Sequence, residues 1–244
     1  MMTKRMFALV LIALAAPAAA SAQIRQVRTS SSEGQQAVNF SVGYFALKGL
    51  ESRVNDDVLL KNLHSAQPLL FEVKDLNGVP VGGEYTFGIS PHDEIAIGLG
   101  FAQRTVHSTY AHLTHSNNDE IAQDLKLRTV PVTITARFLI LPRGSSVEPY
   151  VGAGIVAIRY NYSEVGEFVD ANDLSIFPAR YVAKGTAVGP TVLGGIRAPV
   201  SNWTVGVEVR WQKAEGTKLL REGFLGDKID LGGWTTNFTF GVRF

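Results

Sequence analysis

Period-two alternation of apolar residues, repeated along most of the chain, is the feature that most limits how it can fold. Successive side chains on a strand point to opposite faces, so such alternation marks strands with one apolar and one polar side. The clearest case is Trp203, Val205, Val207, Val209 and Trp211, which interleave with Thr204, Gly206, Glu208 and Arg210. The last segment repeats it, with Trp234, Thr236, Phe238, Phe240, Val242 and Phe244 against Gly233, Thr235, Asn237, Thr239, Gly241 and Arg243. Val38 to Tyr44, Gly83 to Ile89, Ile95 to Ala102 and Val132 to Phe138 alternate in the same way. Tyr150 to Tyr162 fits with a looser register, and the Gly-rich stretch from Lys184 to Ala198 is the weakest. Eight strands of an all-β fold are predicted.

Composition removes several alternatives. The 244 residues carry 23 Lys and Arg against 22 Asp and Glu. A near-neutral chain gives no electrostatic case for nucleic acid. There is no cysteine, hence no disulfide framework and no thiolate metal site. The N-terminus reads as a cleaved export signal: Lys4 and Arg5, an apolar run from Met6 to Ala20, then the small-x-small Ala20-Ser21-Ala22. The run is shorter than the roughly 20 residues a membrane-spanning helix needs. The expected organisation is a signal peptide over 1–22, a flexible segment over 23–36 and one β-domain over 37–244. Loss of the signal removes two basic residues, giving 21 against 22, or −1.

The polar faces choose between a soluble sandwich and a closed antiparallel transmembrane barrel. A barrel turns apolar residues to lipid and fills its lumen with Gly, Ser, Thr and paired charges. Aromatic residues at strand ends suit the headgroup level. Tyr44, Tyr150, Tyr160, Tyr162, Trp203, Trp211, Trp234 and Phe244 are the expected girdle. Connections alternate too: short ones at 90–93, 141–148 and 199–201, long polar ones near 47–78, 108–123, 163–184 and 213–229. Short turns on one rim and long loops on the other suit a barrel with its short side periplasmic. Pro131 and Pro190 fall inside proposed strands, where a bulge is the expected remedy. Near Pro131, Leu125 and Leu127 have the opposite parity to Val132 and Ile134, as one extra residue would produce.

The C-terminal run Asn237-Phe238-Thr239-Phe240-Gly241-Val242-Arg243-Phe244 resembles the terminal strand of outer-membrane barrels. With Pro149-Tyr150-Val151-Gly152-Ala153-Gly154 and the Trp203–Trp211 strand, it is similar to the small barrel family of the OmpA, OmpX and OmpW kind. The resemblance implies location in the outer membrane, among its lipids and lipopolysaccharide. It also implies that Phe238, Phe240, Val242 and Phe244 form the signal read by the barrel-assembly machinery. No peptidoglycan-binding domain of the full-length OmpA type is expected. Eight strands leave a bore that side chains nearly fill, so a wide aqueous pore is not expected.

On these parities Glu84, Arg104, Arg137, Arg159, Arg197, Glu208, Arg210 and Arg243 point into the lumen, where charges away from water need partners. Six Arg against two Glu is lopsided. The segment 107–120 holds three of the five histidines. It allows a surface metal site, or a lipid-A-deacylase-like reading of His115-Ser116-Asn117, whose spacing does not match that enzyme family's His-x-Ser-Asn. The favoured expectation is a solvated loop with no catalytic residue, no metal and no cofactor. In 49–78, Val58-Leu59-Leu60 and Leu69-Leu70-Phe71 suggest either a partner surface or a loop folded onto extended strands. The expected role is structural, interactive or slow passage of small solutes. An enzyme acting on lipid A and a soluble periplasmic β-barrel or sandwich binder are the alternatives.

Overall fold

The computed structural model describes residues 36–244. The expected signal peptide and all of the 23–36 segment except Gln36 lie outside the described residues. The elements are β1 (Gln36–Leu47), α1 (Val58–His64), β2 (Leu69–Leu70), β3 (Val81–Gly88), β4 (Asp93–Thr114) and β5 (Glu120–Leu139). They continue with β6 (Glu148–Val169), β7 (Ile176–Val200), β8 (Trp203–Gln212), β9 (Glu215–Thr217), β10 (Lys228–Asp230) and β11 (Gly233–Arg243). Eight strands close into one antiparallel ring, β1-β3-β4-β5-β6-β7-β8-β11, with β1 pairing β11 from Ala37↔Arg243 to Leu47↔Gly233. Over the lower part closure leaves no unpaired edge; above it β4 runs beyond β3, and β7 beyond β8. β2 adds a short rung to the far end of β4, and β9 pairs β10 as a separate ribbon.

All eight expected strands are present, but four run much further than the alternation indicated. β4 to β7 have 22, 20, 22 and 25 residues, against 12, 8, 10 and 11 for β1, β3, β8 and β11. The loops expected at 108–123 and 163–184 are therefore mostly strand, closed by tight turns at 115–119 and 170–175. The long connections, 48–80 and 213–232, fold over the mouth on the side where the strands are short. We call that end the upper end. The lower end has the short connections, including Ser201-Asn202, where Ser201 takes a positive φ of 57° to close a two-residue hairpin.

No bulge occurs at either proline. β5 and β6 pair without interruption from Gln123↔Gly166 to Leu139↔Tyr150, with Pro131 opposite Ile158. The β4–β5 ladder drops out opposite Pro131 and resumes in the same register, from Leu99↔Val132 to Ala102↔Thr129. Pro190 stands where β8 ends, its carbonyl accepting from the Lys213 amide at 3.1 Å. The parity change at Leu125 and Leu127 thus has another cause. The strand keeps its faces, and the chemistry of the faces exchanges along it.

Over the lower part of the barrel, apolar side chains face outward in a continuous belt. Phe40, Val42, Phe87, Ile97, Leu99, Ile134, Phe138, Ile155, Val188, Val205 and Phe238 all stand exposed. Above Phe101, Val130 and Ala157 the outward residues become Gln103, Arg128, Lys126 and Arg159, while the inward ones become apolar. There Leu125, Leu127, Val156, Ile158, Tyr160 and Tyr162 pack against Val58 and Leu59 of α1 and against Leu219, Phe224, Ile229 and Leu231 of the last long connection. The 49–78 apolar runs divide: Val58, Leu59 and Leu69 are buried in this core, whereas Leu70 is exposed.

The Gly-rich character of β7 follows from the same packing. Tyr150 faces Gly195 and Tyr160 faces Gly185 across the β6–β7 ladder. A Cβ at Gly195 would stand 2.5 Å from the Tyr150 ring, and one at Gly185 2.6 Å from the Tyr160 hydroxyl. Tyr162, the third inward phenol, faces Ala183, so each of the three has a small residue opposite.

Candidate functional site

The lower lumen holds one connected set of charges to which seven of the eight barrel strands contribute. Arg137 of β5 donates through Nη2 to Glu84 of β3 at 2.7 Å and to Glu208 of β8 at 2.8 Å. Arg210 of β8 bridges the same two carboxylates, at 2.8 Å to Glu208 and 3.3 Å to Glu84, and donates to Thr133 at 3.2 Å. Arg197 of β7 grips Glu94 of β4 with both terminal nitrogens, at 2.9 and 2.7 Å, and reaches Glu148 of β6 through Nε at 2.8 Å. Arg243 of β11 holds the same Glu148 at 3.0 and 2.5 Å. Arg137 Nη1 stands 3.8 Å from Glu94, which joins the two halves. Arg143, from the short connection below, adds a contact of 3.3 Å to Glu94. The Tyr150 hydroxyl donates to Glu208 at 3.2 Å, and its ring lies between the guanidiniums of Arg137 and Arg197, 5.0 and 5.5 Å from its centre.

The structure therefore brings together Glu84, Arg137, Arg197, Glu208, Arg210 and Arg243. It does not bring in Arg159, which points outward, or Arg104, which is exposed at the rim and donates to the Asp75 carbonyl at 2.9 Å. Two carboxylates escaped the sequence reading, Glu94 and Glu148. Glu148 opens β6 and Glu94 is the second residue of β4, both beside turns at the margin of the alternating segments. With Arg143 they complete a set of five arginines and four glutamates. Such fork-to-carboxylate contacts are the strong form of the hydrogen bond, and they satisfy charges that the interior would otherwise leave costly.

The expected girdle also divides. Trp211 and Trp234 are opposed across β8 and β11 at the upper edge of the belt, with Tyr44 nearby on β1. Trp203 and Phe244 stand exposed at the lower edge, Trp203 stacked on Phe240 at 4.9 Å. Tyr150, Tyr160 and Tyr162 are not on this surface: all three are buried inside. Taking them as girdle reversed the faces of β6, and that same reversal turned Arg159 inward. Phe238, Phe240 and Phe244 are exposed on the outer face of the closing strand, with Val242 half-buried in the same row.

Higher up lies a different site. A cavity of about 360 Å³ is walled by Tyr110, Phe168, Phe177, Tyr181 and Phe224, with Gln123 and Glu164 also in its lining. Gln123 is only 2% exposed, and neither amide atom makes a well-formed hydrogen bond, although the Tyr110 phenol stands beside it. Glu164 accepts from Tyr162 at 2.7 Å and from Asn62 at 2.5 Å. Burial pushes its carboxyl above the usual carboxylate range, against those two donors. Aromatic walls with a few polar groups suit a small, weakly polar molecule. The floor of the two long connections is tied by Asp57, which caps α1 through the Leu59 amide at 2.8 Å and accepts from Arg53 at 2.9 Å and from the Asp230 amide at 2.7 Å.

The histidine segment does not converge. His107 pairs with Asp124 at 3.0 Å and His115 with Glu167 at 2.8 Å. Among the described residues no group of three His, Asp or Glu is placed to hold a metal.

No family model matches the chain, and no curated protein is similar to it. Among solved structures the chain is similar to the outer membrane protein OprG from Pseudomonas aeruginosa, at 12% identity and a TM-score of 0.47, over 87% of this chain and 97% of that one. Neisserial surface protein A matches at 12% and 0.46, over 86% and 96%. Ail, the attachment invasion locus protein of Yersinia pestis, matches at 12% and 0.46, over 87% and 100%.

Proposed function

We propose that this chain is an integral outer-membrane protein whose barrel is sealed, and that it serves as a structural and interaction module at the cell surface rather than as a conduit. One observation carries the reading: a closed ring turns a belt of apolar side chains outward while paired charges occupy its bore. In water such a belt would leave a large contiguous apolar surface exposed, which monomeric soluble proteins rarely carry. In lipid the same belt is satisfied, and over the belt closure satisfies the strand edges. The aromatic residues at the two edges of the belt support the same placement. On this reading the lower end is periplasmic and the upper end faces outward. Lipids and lipopolysaccharide surround the barrel, and the Phe238–Phe244 row serves as the assembly signal.

Two stacked barriers favour interaction over passage: the charge cluster below and the apolar core above. The aromatic cavity gives the outer end a place for a small ligand. No catalytic role is assigned to any residue. Planar-bilayer recording of the refolded protein tests the sealed reading. It is expected to be silent, and steady single-channel steps would overturn it in favour of solute passage. Mass spectrometry of lipid A from cells with and without the protein is expected to give identical spectra; a changed acyl pattern would favour the enzyme.

A further inference from the structure

Directly above the apolar belt, the outer wall of β5, β6 and β7 carries an accumulation of positive charge that the fold leaves unbalanced. Outward positions pass from Val132 and Val130 to Arg128 and Lys126 on β5, and from Ile155 and Ala157 to Arg159 on β6. On β7 they pass from Val188 to Lys184 and Arg180. The register makes these neighbours. Val130 lies beside Arg159, Arg128 beside Asn161, and Asn161 beside Lys184. All five cations are exposed. Among the described residues none of them has a salt bridge, in contrast to the arginines of the lumen. Arg128 lies over the Phe101 ring, 5.2 Å from its centre, at the boundary itself. The carboxylate nearest along β5, Asp124, is already engaged by His107.

Neighbouring strands stand about 4.8 Å apart. The cations nearest one another therefore lie near the screening length of about 8 Å at physiological salt and repel one another. An anion shared among them removes that cost. Two clefts lie between the side chains, one of about 220 Å³ among Arg128, Arg159 and Lys184, the other of about 150 Å³ among Lys126, Arg180 and Lys184. Height decides the occupant. An anion held here sits one residue row above hydrocarbon, so a soluble anion would waste the apolar surface beneath it. A phosphorylated lipid uses both: phosphates in the clefts, acyl chains along Val130, Ile155, Ala157 and Val188.

We infer that this face is a docking site for a phosphorylated glycolipid of the outer leaflet, with Arg128, Arg159 and Lys184 holding its phosphates. The inference rests on the membrane placement proposed above and adds a specific lipid contact to it. Charge-assisted hydrogen bonds to phosphate are among the strong ones.

The test is native mass spectrometry of the whole chain, released from a zwitterionic detergent and titrated with bisphosphorylated lipid A, with dephosphorylated lipid A and with inorganic phosphate. The wild type is expected to hold lipid A about tenfold more tightly than the dephosphorylated lipid. The triple variant Arg128→Gln, Arg159→Gln, Lys184→Gln is expected to lose that preference. A control triple in the long connections, Lys61→Gln, Lys74→Gln, Lys218→Gln, is expected to keep it. Equal binding of both lipids, an unchanged triple variant, or displacement of the lipid by millimolar phosphate would each overturn the inference. Heat-modifiable migration of every variant verifies folding. Failure of the membrane reading would show separately, as wild-type protein that stays monodisperse without detergent.

Discussion

The upper half of this barrel is made by four of the strands that make the lower half, β4 to β7, with the same side-chain parity, and the two halves have opposite insides. On β5 the inward residues are Arg137, Thr135 and Thr133 below and Leu127 and Leu125 above, while the outward residues are Phe138, Ile134 and Val132 below and Arg128 and Lys126 above. The upper half obeys the rule for proteins in water, apolar within and polar without. The lower half reverses it, as a barrel in hydrocarbon must. What holds each half differs accordingly. Below, cohesion comes from directional Arg–Glu contacts, because the apolar groups are spent on the outer surface. Above, it comes from burial of α1 and the last long connection against the inward faces of β5 to β7.

The comparison predicts unequal responses to mutation. The largest effect is expected from Arg137→Met, which leaves Glu84 and Glu208 short of a partner deep in the lumen. Breaking a buried ion pair from one side costs about 3–5 kcal/mol, to be read as a lower urea midpoint in detergent micelles. A shift below about 1 kcal/mol, the value for exposed pairs, would mean that the lumen is wet. Next comes Leu59→Ala in the upper core, expected to cost about 2–5 kcal/mol of local stability. Hydrogen exchange should accelerate in α1 and in 213–232 while β8 and β11 stay protected. Uniform loss of protection would mean that the halves do not separate.

Ile97→Arg on the belt is expected to cost about 2–4 kcal/mol, whereas Thr105→Arg, on the same face of β4 above the belt, should cost close to nothing. Equal effects at the two positions would erase the boundary. The smallest expected effect concerns Glu164. Its folded-state pKa is raised, so the folded protein binds more protons than the unfolded one above the usual carboxylate pKa. Stability of the upper half is then lost as pH rises from that value through the raised one. Glu164→Gln keeps an acceptor for Tyr162 and Asn62 and should flatten the dependence. A wild type already flat from pH 4.5 to 8 would contradict the burial of this carboxyl.

Sequence reading succeeded where one physical rule governs a whole strand. β1, β8 and β11 lie wholly along the belt, and their alternation has one meaning from end to end. It failed where a strand crosses from one environment to the other. The exchange at Leu127 imitates a one-residue slip, because a parity change with fixed faces and a face change with fixed parity leave the same trace. Beyond the crossing the outward face turns polar, so the upper parts of β4 to β7 lost their contrast with loops. Tyr150, Tyr160 and Tyr162 misled for a related reason: a phenol suits a headgroup and a buried site with one hydrogen-bond acceptor equally well. The small residues opposite them on β7, Gly195, Gly185 and Ala183, were the available signal, since large inward residues need small partners across the ladder. Six members of the lumen cluster were legible from strand parity; Glu94 shares the parity of Ala96 and Gly98 but lies just outside the alternating segment, and Glu148 is placed by the register of the closed ring.

The central claim is that fixed faces exchange chemistry between Val130 and Arg128. Spin labels placed singly along β5, at 124, 126, 128, 132, 134, 136 and 138, test it in reconstituted bilayers. The claim predicts collisions with dissolved oxygen at 132, 134, 136 and 138 and with a water-soluble nickel chelate at 124, 126 and 128, and companion labels at the inward positions 125, 127, 133 and 135 are expected to meet little of either. Nickel access along the whole outward row, or a reversal of inward and outward positions at Pro131, would contradict it.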